Sequence, residues 1–379
     1  MLSEMSKRER LLAALNSRET DRLPWAPLID GYFISSLFEQ GLDMDILAAM
    51  RFIGNDIMER HVAGPTERME HVTLREEQRG GLNRTYYETP VGSLYVERKP
   101  SGRTSYICKH MIESMEDIKV FTYIAEHTVY QPNIPAFISR EKEIGDDGIA
   151  TLSGNTSPIQ EVLQILGGVE NTVYLMMDYP DEMNTLFAAM HERNLRQYKV
   201  LAQYPCGVVF DYEDTSTTVM NRSMFTDYSM PAFNDYADLL HGAGKLFITH
   251  MCGKLTGFAH EIGQGRQDGI DSVCPPNTGD LCPWDARRIW GSRKVVVGGI
   301  DPPALSRMTT EESVDTAIEI CKKVENKNGY ILSTGDAVPY GTPVQNLIAV
   351  TKLIEQLGRG SLTGDFDPEQ AKVRVLHAL

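Results

Sequence analysis

The sequence lacks the features of membrane-spanning, disulfide-rich and nucleic-acid-binding proteins. No apolar run approaches the roughly 20 residues that a membrane-spanning helix needs, and the N-terminal residues do not have the pattern of a secretory signal. The six cysteines are scattered over 379 residues, which excludes a dense disulfide framework. The net charge of −15 disfavours binding to nucleic acid phosphates or anionic lipid. We therefore expect a cytoplasmic globular protein with reduced thiols.

From about residue 148 onward, short β-branched runs alternate with longer amphipathic stretches. Repeated units of a strand followed by a helix form parallel sheets. Two further strands are predicted at LPWAPLI (residues 23–29) and near IGNDIMERHV (residues 53–62), which brings the total to eight. The six strands of the regular part are predicted at residues 148–156, 207–215, 245–253, 269–276, 294–302 and 329–336.

Eight strand–helix units in a chain of this length favour a (β/α)8 TIM barrel of the α/β class. The main alternative is an open doubly wound sheet, but no GxGxxG or GxxxxGK[ST] loop follows an early strand. The sequence shows no internal repeat and no low-complexity linker, so we predict one domain over residues 1–379. Its N-terminal elaboration includes a helix at residues 8–15 and a β-hairpin insertion at about residues 83–98.

Polar side chains close most of the predicted strands. In a barrel of this kind, the active site lies at the carboxyl ends of the strands. These ends therefore supply the candidate functional residues, which are Asn155, Ser157, Asp211, Glu213, Asp214, His250, Cys252, Cys274, Asp301 and Asp336.

The segment KLFITHMCG places His250 and Cys252 two residues apart at the end of a predicted strand. Because side chains alternate along a strand, both should share a face with Leu246 and Ile248 and point into the barrel mouth. An imidazole nitrogen and a thiolate together suit Zn²⁺. The alternative is a structural histidine beside a buried thiol. Gly253 is expected to let the chain turn tightly.

A catalytic zinc site usually has three protein ligands, so a third residue is needed. Cys274 and Asp336 are the candidates, because each closes a predicted strand. The alternatives are a small buried residue for Cys274 and a helix cap or turn former for Asp336. The residues by themselves leave this choice open.

Six segments together resemble the uroporphyrinogen decarboxylase superfamily across nearly the whole chain. They are DRLPWAPLIDGYF, ETPVGSLYVE, HMCGKL, GIDSVCPPNTGD, VVVGGIDPPAL and YILSTGDAVPYGTPVQNLIAV. The resemblance implies a TIM barrel. Decarboxylases of the superfamily carry an arginine-containing RQAGRY segment where this sequence reads PLIDGYF, so the decarboxylase branch is disfavoured. The other branch comprises zinc- and corrinoid-dependent methyltransferases with a His-x-Cys motif at the fifth strand.

The resemblance implies that His250 and Cys252 are zinc ligands. The motif's further cysteine at the eighth strand is replaced by Asp336, which then becomes the implied third ligand, with Cys274 as the alternative. A carboxylate donates less charge to zinc than a thiolate does and leaves a stronger Lewis acid. This favours polarising an ether oxygen, as in the first methyltransferase of an O-demethylase system.

The resulting hypothesis is transfer of a methyl group from a methoxylated, aromatic substrate to a Co(I) corrinoid. Glu213 or Asp214 is expected to supply a proton, to act as a further ligand or to orient one, and Asp30 is a further catalytic candidate. Solvated carboxylates, helix caps and plain core packing are the alternatives for these residues. The candidates for binding the substrate are Asn155, Tyr32 and Tyr340.

The sequence lacks the Asp-x-His-x-x-Gly motif of cobalamin-binding modules, since DLLHGAG at residues 238–244 has the wrong spacing. The corrinoid is therefore expected on a separate partner protein that docks over the barrel mouth. Three other functions remain open: a methylcobamide:thiol (coenzyme M-like) methyltransferase, a decarboxylase with an altered binding mode, and a non-catalytic barrel that binds a small molecule. The sequence does not set the oligomeric state, and it is compatible with a homo-oligomer.

Overall fold

The computed structural model describes residues 4–60 and 62–379, in which the chain forms fourteen strands and seventeen α-helices. The strands are β1 (Ile57–Glu59), β2 (Thr66–Met69), β3 (Thr73–Arg79), β4 (Leu82–Thr89), β5 (Gly92–Ser101), β6 (Thr104–Lys109), β7 (Thr128–Gln131), β8 (Gly148–Ala150), β9 (Leu152–Gly154), β10 (Val208–Tyr212), β11 (Leu246–His250), β12 (Gly269–Val273), β13 (Val295–Ile300) and β14 (Tyr330–Thr334).

The helices surround the parallel strands and flank the N-terminal part of the chain. They are α1 (Lys7–Leu15), α2 (Gly31–Glu39), α3 (Ile46–Ile53), α4 (Met115–Glu126), α5 (Ile134–Ile144), α6 (Pro158–Glu161), α7 (Val169–Asp178), α8 (Pro180–Leu201), α9 (Arg222–Met224), α10 (Met230–Gly242), α11 (Ala259–Gln264), α12 (Pro283–Trp290), α13 (Pro302–Leu305), α14 (Thr310–Lys323), α15 (Val344–Leu357), α16 (Gly360–Thr363) and α17 (Pro368–His377). A π-helical segment, Val162–Leu166, continues α6, and a second one, Phe225–Ser229, joins α9 to α10.

Eight parallel segments close a barrel. The strands β9 to β14 form a six-stranded sheet in chain order, and β8 pairs with β1. Only Thr151 separates β8 from β9, so the two count as one of the eight segments. The segment at residues 23–28 completes the ring: Ala26 N donates to Leu332 O of β14 at 2.9 Å, and Trp25 O accepts from Asp56 N at 2.8 Å. The predicted (β/α)8 barrel is confirmed, as are the six predicted strands of its regular part.

The predicted strand at residues 23–29 is wrong as a strand, although its burial is right. This segment forms only an isolated parallel bridge between Trp25 and Leu332. Pro24 and Pro27 have no N–H groups, so the segment cannot form a continuous ladder. All of residues 23–29 are nevertheless buried. The strand expected near residues 53–62 is the short β1, and His61 lies outside the described residues.

Apolar side chains fill the barrel interior beneath the mouth. Leu11, Ala14 and Leu15 of α1 pack on the same cluster, and α1 contacts β1, β8 and β14. The helix starts at a capping box in which Ser6 and Glu9 satisfy each other's backbone N–H groups. The interior cluster includes Ala26, Met58, Ile149, Val208, Phe210, Ile248, Val295, Val297 and Ile331.

The hairpin expected at about residues 83–98 corresponds to β4 and β5, which pair Tyr87 with Leu94. It belongs to a larger antiparallel sheet in the order β3–β4–β5–β6, which we call the insertion sheet. Leu94 and Val96 lie on the buried face of β5, which packs against α4. The strands β2 and β7 form a further antiparallel pair. The elaboration is therefore more extensive than the sequence pattern indicated.

No helix in the two described ranges is both long enough and apolar enough to cross a bilayer. All six cysteines are free thiols, as their scattered spacing predicts. Cys206, Cys274 and Cys321 are buried, and Cys108 is exposed.

Arg10 of α1 ties the first barrel segment to β1. Its guanidinium group, 1% exposed, donates to Asp21 Oδ1 at 2.7 Å and to Asp56 Oδ1 at 2.5 Å. The second oxygen of Asp56 accepts the N–H of Trp25 at 2.9 Å. A buried ion pair therefore replaces part of the ladder that the prolines prevent.

Arg10→Met is expected to lower the free energy of unfolding by about 3–5 kcal/mol, because it leaves the buried Asp56 carboxylate without its cation. The matched variant Arg51→Met breaks the exposed pair with Asp147 at 2.7 Å and should lower it by less than about 1 kcal/mol. Equilibrium unfolding in urea, followed by circular dichroism, measures both changes. Equal losses for the two variants would contradict the role assigned to Arg10.

Candidate metal centre

Three side chains that could hold a metal ion converge at the barrel mouth. His250 ends β11, and it shares the inward face of this strand with Ile248, as the alternation predicts. Cys252 Sγ lies 3.1 Å from Asp214 Oδ1, and His250 Nε2 lies 3.8 Å from the same oxygen. One donor atom from each of Asp214, His250 and Cys252 lies within 4.8 Å of the others. We call these three residues the donor cluster.

The backbone after β10 brings Asp214 to the other two residues. The N–H groups of Glu213 and Asp214 donate to the carbonyl oxygen of His250 at 3.0 and 3.1 Å. Asp214 has a φ of 44°, a left-handed conformation that aspartate tolerates better than most residues. Gln164 Nε2 donates to Asp214 Oδ2 at 2.7 Å. The other carboxylate oxygen therefore faces Cys252 and His250.

Gly253 allows the loop after β10 to approach the loop after β11. The chain bends at Gly253, as expected, but without a positive φ. A Cβ atom at this position would lie 2.3 Å from Ser216 Cβ and 2.3 Å from Thr215 O. The absence of a side chain thus permits the close packing that keeps Asp214 beside Cys252.

A buried ion pair orients the His250 ring. His250 Nδ1 lies 2.6 Å from Asp271 Oδ2, and the same oxygen accepts a hydrogen bond from Arg60 Nη1. All three side chains are at most 3% exposed. Burial lowers the pKa of His250, but the hydrogen bond and charge of Asp271, together with nearby carboxylates, raise this pKa above its ordinary value. Because Nδ1 is bound to Asp271, Nε2 is the ring nitrogen that faces Asp214 and Cys252.

Negative charge is concentrated at the mouth. Asp336 Oδ1 lies 3.7 Å from His250 Nε2, so a second carboxylate faces this nitrogen. In the described part of the chain, neither Asp214 nor Asp336 forms an ion pair with a lysine or arginine. Burial, followed by the charges of Asp214 and Asp336, raises the pKa of Cys252 above its ordinary value. A bound cation would relieve this repulsion and favour the thiolate.

Cys274, the alternative ligand, lies outside the donor cluster. Its Sγ is 3.7 Å from Asp301 Oδ1 and packs against Gly335, and burial raises its pKa to about 12. The register of β12 shifts between Ile270 and Val273, which interrupts the alternation of side chains. After this irregularity, Cys274 contacts Asp301 and Gly335.

Glu213 and Asp30, the other two catalytic candidates, accept hydrogen bonds from residues outside the donor cluster. Glu213 is fully buried and accepts hydrogen bonds from the backbone N–H of Ser157, at 2.8 Å, and from its hydroxyl group. Burial raises the pKa of Glu213 to about 7. Asp30 caps α2 by accepting the N–H groups of Tyr32 and Phe33. Asp214 is thus the catalytic candidate that the structure brings to His250 and Cys252.

The candidate substrate-binding residues lie in two separate places. Asn155 donates from Nδ2 to the hydroxyl oxygen of Tyr130 at 3.0 Å and to Asn194 Oδ1 at 3.1 Å. Tyr32 and Tyr340 form an edge-to-face pair with ring centroids 5.6 Å apart, and Tyr32 is 42% exposed. The two tyrosines therefore contact each other, whereas Asn155 is hydrogen-bonded to Asn194 of α8.

Sequence reasoning missed Arg60, Asp271 and Gln164, which position the donor cluster. Asp271 left a signal, because a carboxylate within the buried strand GIDSV is costly unless it is paired. Arg60 lies 211 positions away from Asp271, so no local pattern indicates their contact. Gln164 lies on the π-helical segment after α6, and its polarity alone does not reveal its partner.

Asp271→Asn is expected to lower the pKa of His250, because it removes the nearest opposite charge while the burial of the ring remains. NMR titration of the ring resonances in the metal-free protein measures this pKa. Asp336→Asn is the matched variant and should have a smaller effect, since its oxygen is 3.7 Å from the ring rather than 2.6 Å. An equal or larger effect of Asp336→Asn would contradict the role assigned to Asp271.

The sequence and the structure both relate this chain to known proteins. A search of curated proteins finds no match. Among solved structures, a methyltransferase from Methanosarcina mazei matches with a TM-score of 0.65 at 14% sequence identity, and the alignment covers 93% of this chain and 99% of that chain. This likeness shows a shared fold. The family model of uroporphyrinogen decarboxylase (URO-D) matches residues 95–357, which include the whole donor cluster. The chain therefore belongs to the uroporphyrinogen decarboxylase family.

Proposed function

We propose that this protein is a zinc-dependent methyltransferase that moves a methyl group from a methoxylated aromatic compound to the corrinoid of a partner protein. The main support is the convergence of Asp214, His250 and Cys252 donor atoms within 4.8 Å of one another. The M. mazei protein of the same fold is a methyltransferase, which favours methyl transfer over decarboxylation. The negative charge of Asp214 and Asp336 at the mouth also supports a bound cation.

The donor cluster fits zinc in its chemistry. Zinc takes nitrogen, sulfur and oxygen ligands, and catalytic sites combine three protein ligands with an open position. We assign the third ligand to Asp214, because its Oδ1 lies 3.1 Å from Cys252 Sγ. Asp336, the ligand that the family resemblance implied, faces His250 Nε2 from the end of the barrel's last strand. We assign it to the open side of the site.

Zinc bound there would supply a Lewis acid for the ether oxygen of the substrate. The chain's own residues position the ligands: Asp271 fixes the tautomer and direction of His250, and Gln164 holds Asp214. Asp336 is partly exposed and is placed to exchange a proton with a group bound above His250. Beneath the site, the Arg60 guanidinium lies 5.0 Å from the centre of the Phe210 ring, which belongs to the apolar cluster of the barrel interior.

The purified protein is expected to hold about one zinc ion, and His250→Ala and Cys252→Ala should abolish its binding. Asp214→Ala should weaken zinc binding more than Asp336→Ala does. Asp271→Asn should weaken it by about 10–100-fold, since it affects the orientation of a ligand. Elemental analysis and competition with a chelator measure content and affinity.

Cys274→Ala is the matched control, because it removes a thiol outside the donor cluster and should leave the zinc content unchanged. Loss of zinc in this variant, or a wild-type protein that stays metal-free after reconstitution, would contradict the assigned ligands. A larger loss of zinc in Asp336→Ala than in Asp214→Ala would mean that Asp336, and not Asp214, is the third ligand.

Zinc affinity is expected to increase with pH. Cys252 must lose a proton to bind, and its raised pKa keeps the metal-free thiol protonated at neutral pH. His250 must also be neutral, so below its raised pKa a second proton competes with the metal. Each released proton changes the affinity about tenfold per pH unit. Competition with a chromophoric chelator at several pH values measures the slope, and an affinity independent of pH would contradict thiolate ligation.

Methyl transfer itself is tested with a reduced corrinoid protein and a panel of methoxylated benzenes. We expect the Co(I) absorbance to decrease when a methoxylated compound is added, and not with the corresponding phenol. His250→Ala and Cys252→Ala should abolish this change, and Cys274→Ala should retain it. Methyl transfer from a methylated corrinoid to a thiol would replace the proposal with the thiol methyltransferase. No transfer by the zinc-loaded protein in either assay would overturn it.

A further inference from the structure

A cavity of about 200 Å³ lies between the insertion sheet and the barrel helices. Apolar and polar side chains line it in about equal numbers, and Val96 of β5, Phe121 and Ile124 of α4, and Leu166 supply much of its apolar part. None of the three residues of the donor cluster lines it. The cavity is therefore a separate place in the molecule from the metal centre.

Arg98 extends into this cavity from β5. Leu94, Val96 and Arg98 share one face of this strand, and the first two are 2% exposed. Arg98 thus places a positive charge at the end of this row of apolar side chains. Arg98 is half-buried, and its guanidinium group forms no hydrogen bond or ion pair with any residue that the structure describes.

The second cation of the cavity already has its partners. Arg193 donates to both carboxylate oxygens of Glu161, with Nη1 at 3.2 Å, and its Nε donates to Asn194 Oδ1 at 3.1 Å. Glu67 lies on the exposed side of the cavity and accepts a hydrogen bond from the hydroxyl group of Tyr130 at 2.9 Å. Within residues 4–60 and 62–379, Arg98 is thus the lining cation that lacks a partner.

Tyr87 adds a second donor close to this guanidinium group. It lines the same cavity, and its hydroxyl group makes no hydrogen bond within the described chain. Burial raises the pKa of Tyr87, and the positive charge of Arg98 partly opposes this increase. A phenolic O–H and a guanidinium group therefore line one small space together with apolar side chains.

We propose that this space, the Arg98 cavity, binds a small monocarboxylic acid with an apolar body. A guanidinium group matches the two oxygens of a carboxylate, and the Tyr87 hydroxyl group can donate to one of them. A bound carboxylate would also give the Arg98 guanidinium group a partner in a cavity that Val96 and Phe121 line as well. The volume equals that of roughly seven water molecules at about 30 Å³ each, which limits the ligand to a small acid. This proposal does not rest on the proposed methyl transfer.

Benzoate is the probe, and benzamide is its neutral analogue of the same shape. Ligand-observed NMR titrations of the full-length protein measure both dissociation constants. We expect benzoate to bind at least about tenfold more tightly than benzamide, as a charge-assisted pair requires. Arg98→Gln should reduce the affinity for benzoate to that for benzamide. Lys99→Gln removes the same charge from the exposed face of the same strand and should leave the affinity unchanged.

Two further variants keep the test decisive. Arg98→Lys retains the charge without the planar pair of donors and should bind benzoate with intermediate affinity, even if Arg98→Gln is too unstable to study. Cys252→Ala disrupts the donor cluster and should leave the affinity unchanged. The proposal is overturned if benzoate does not bind, if it binds Arg98→Gln or Arg98→Lys as tightly as wild type, or if Cys252→Ala abolishes binding. The last result would place the acid at the metal centre.

Discussion

Asp271 Oδ2 accepts hydrogen bonds from His250 Nδ1 and Arg60 Nη1 at the same time, and the candidate metal centre depends on this shared atom. The contact joins three parts of the barrel: the end of β1, the end of β11 and the middle of β12. All three groups are buried, so removing Asp271 would leave the Arg60 guanidinium group without its ion-pair partner and His250 Nδ1 without its hydrogen-bond partner. Arg60 also rests on the Phe210 ring. The polar layer is thereby fixed to the apolar interior beneath it.

The same arrangement explains why the mouth favours a cation. Asp271 is neutralised by Arg60, so it orients His250 without adding an unbalanced charge. Asp214, Asp336 and the Cys252 thiol lie on the other side of the ring, where no lysine or arginine of the described chain pairs with the two carboxylates. Burial, together with the charges of these two carboxylates, raises the pKa of Cys252 and keeps the thiol protonated in the absence of a metal. One side of the His250 ring thus fixes its orientation, and the other side carries the negative charge that favours a cation.

The fold was largely predictable because a parallel barrel repeats a local pattern. Buried β-branched runs indicate strands wherever they occur, and the six strands of the regular part follow this rule. The segment LPWAPLI is an exception to this rule. Its residues are buried as those of a strand would be, but Pro24 and Pro27 prevent a continuous ladder. The ion pair of Arg10 with Asp56 supplies part of the attachment of this segment to β1. The insertion sheet was found only at its hairpin, since β3 and β6 are exposed strands that lack an apolar alternation.

By itself, the sequence determined the barrel and the pair His250 and Cys252 on one inward face, because the two-residue period of a strand is a local property. Only the tertiary structure decided that Asp214 joins this pair, that Cys274 does not, and that Arg60 lies against Asp271. These outcomes depend on the close approach of two loops at Gly253, on the packing of Cys274 against Gly335 and on a contact across 211 positions. Such features arise when distant segments pack together, and no short stretch of the chain contains them.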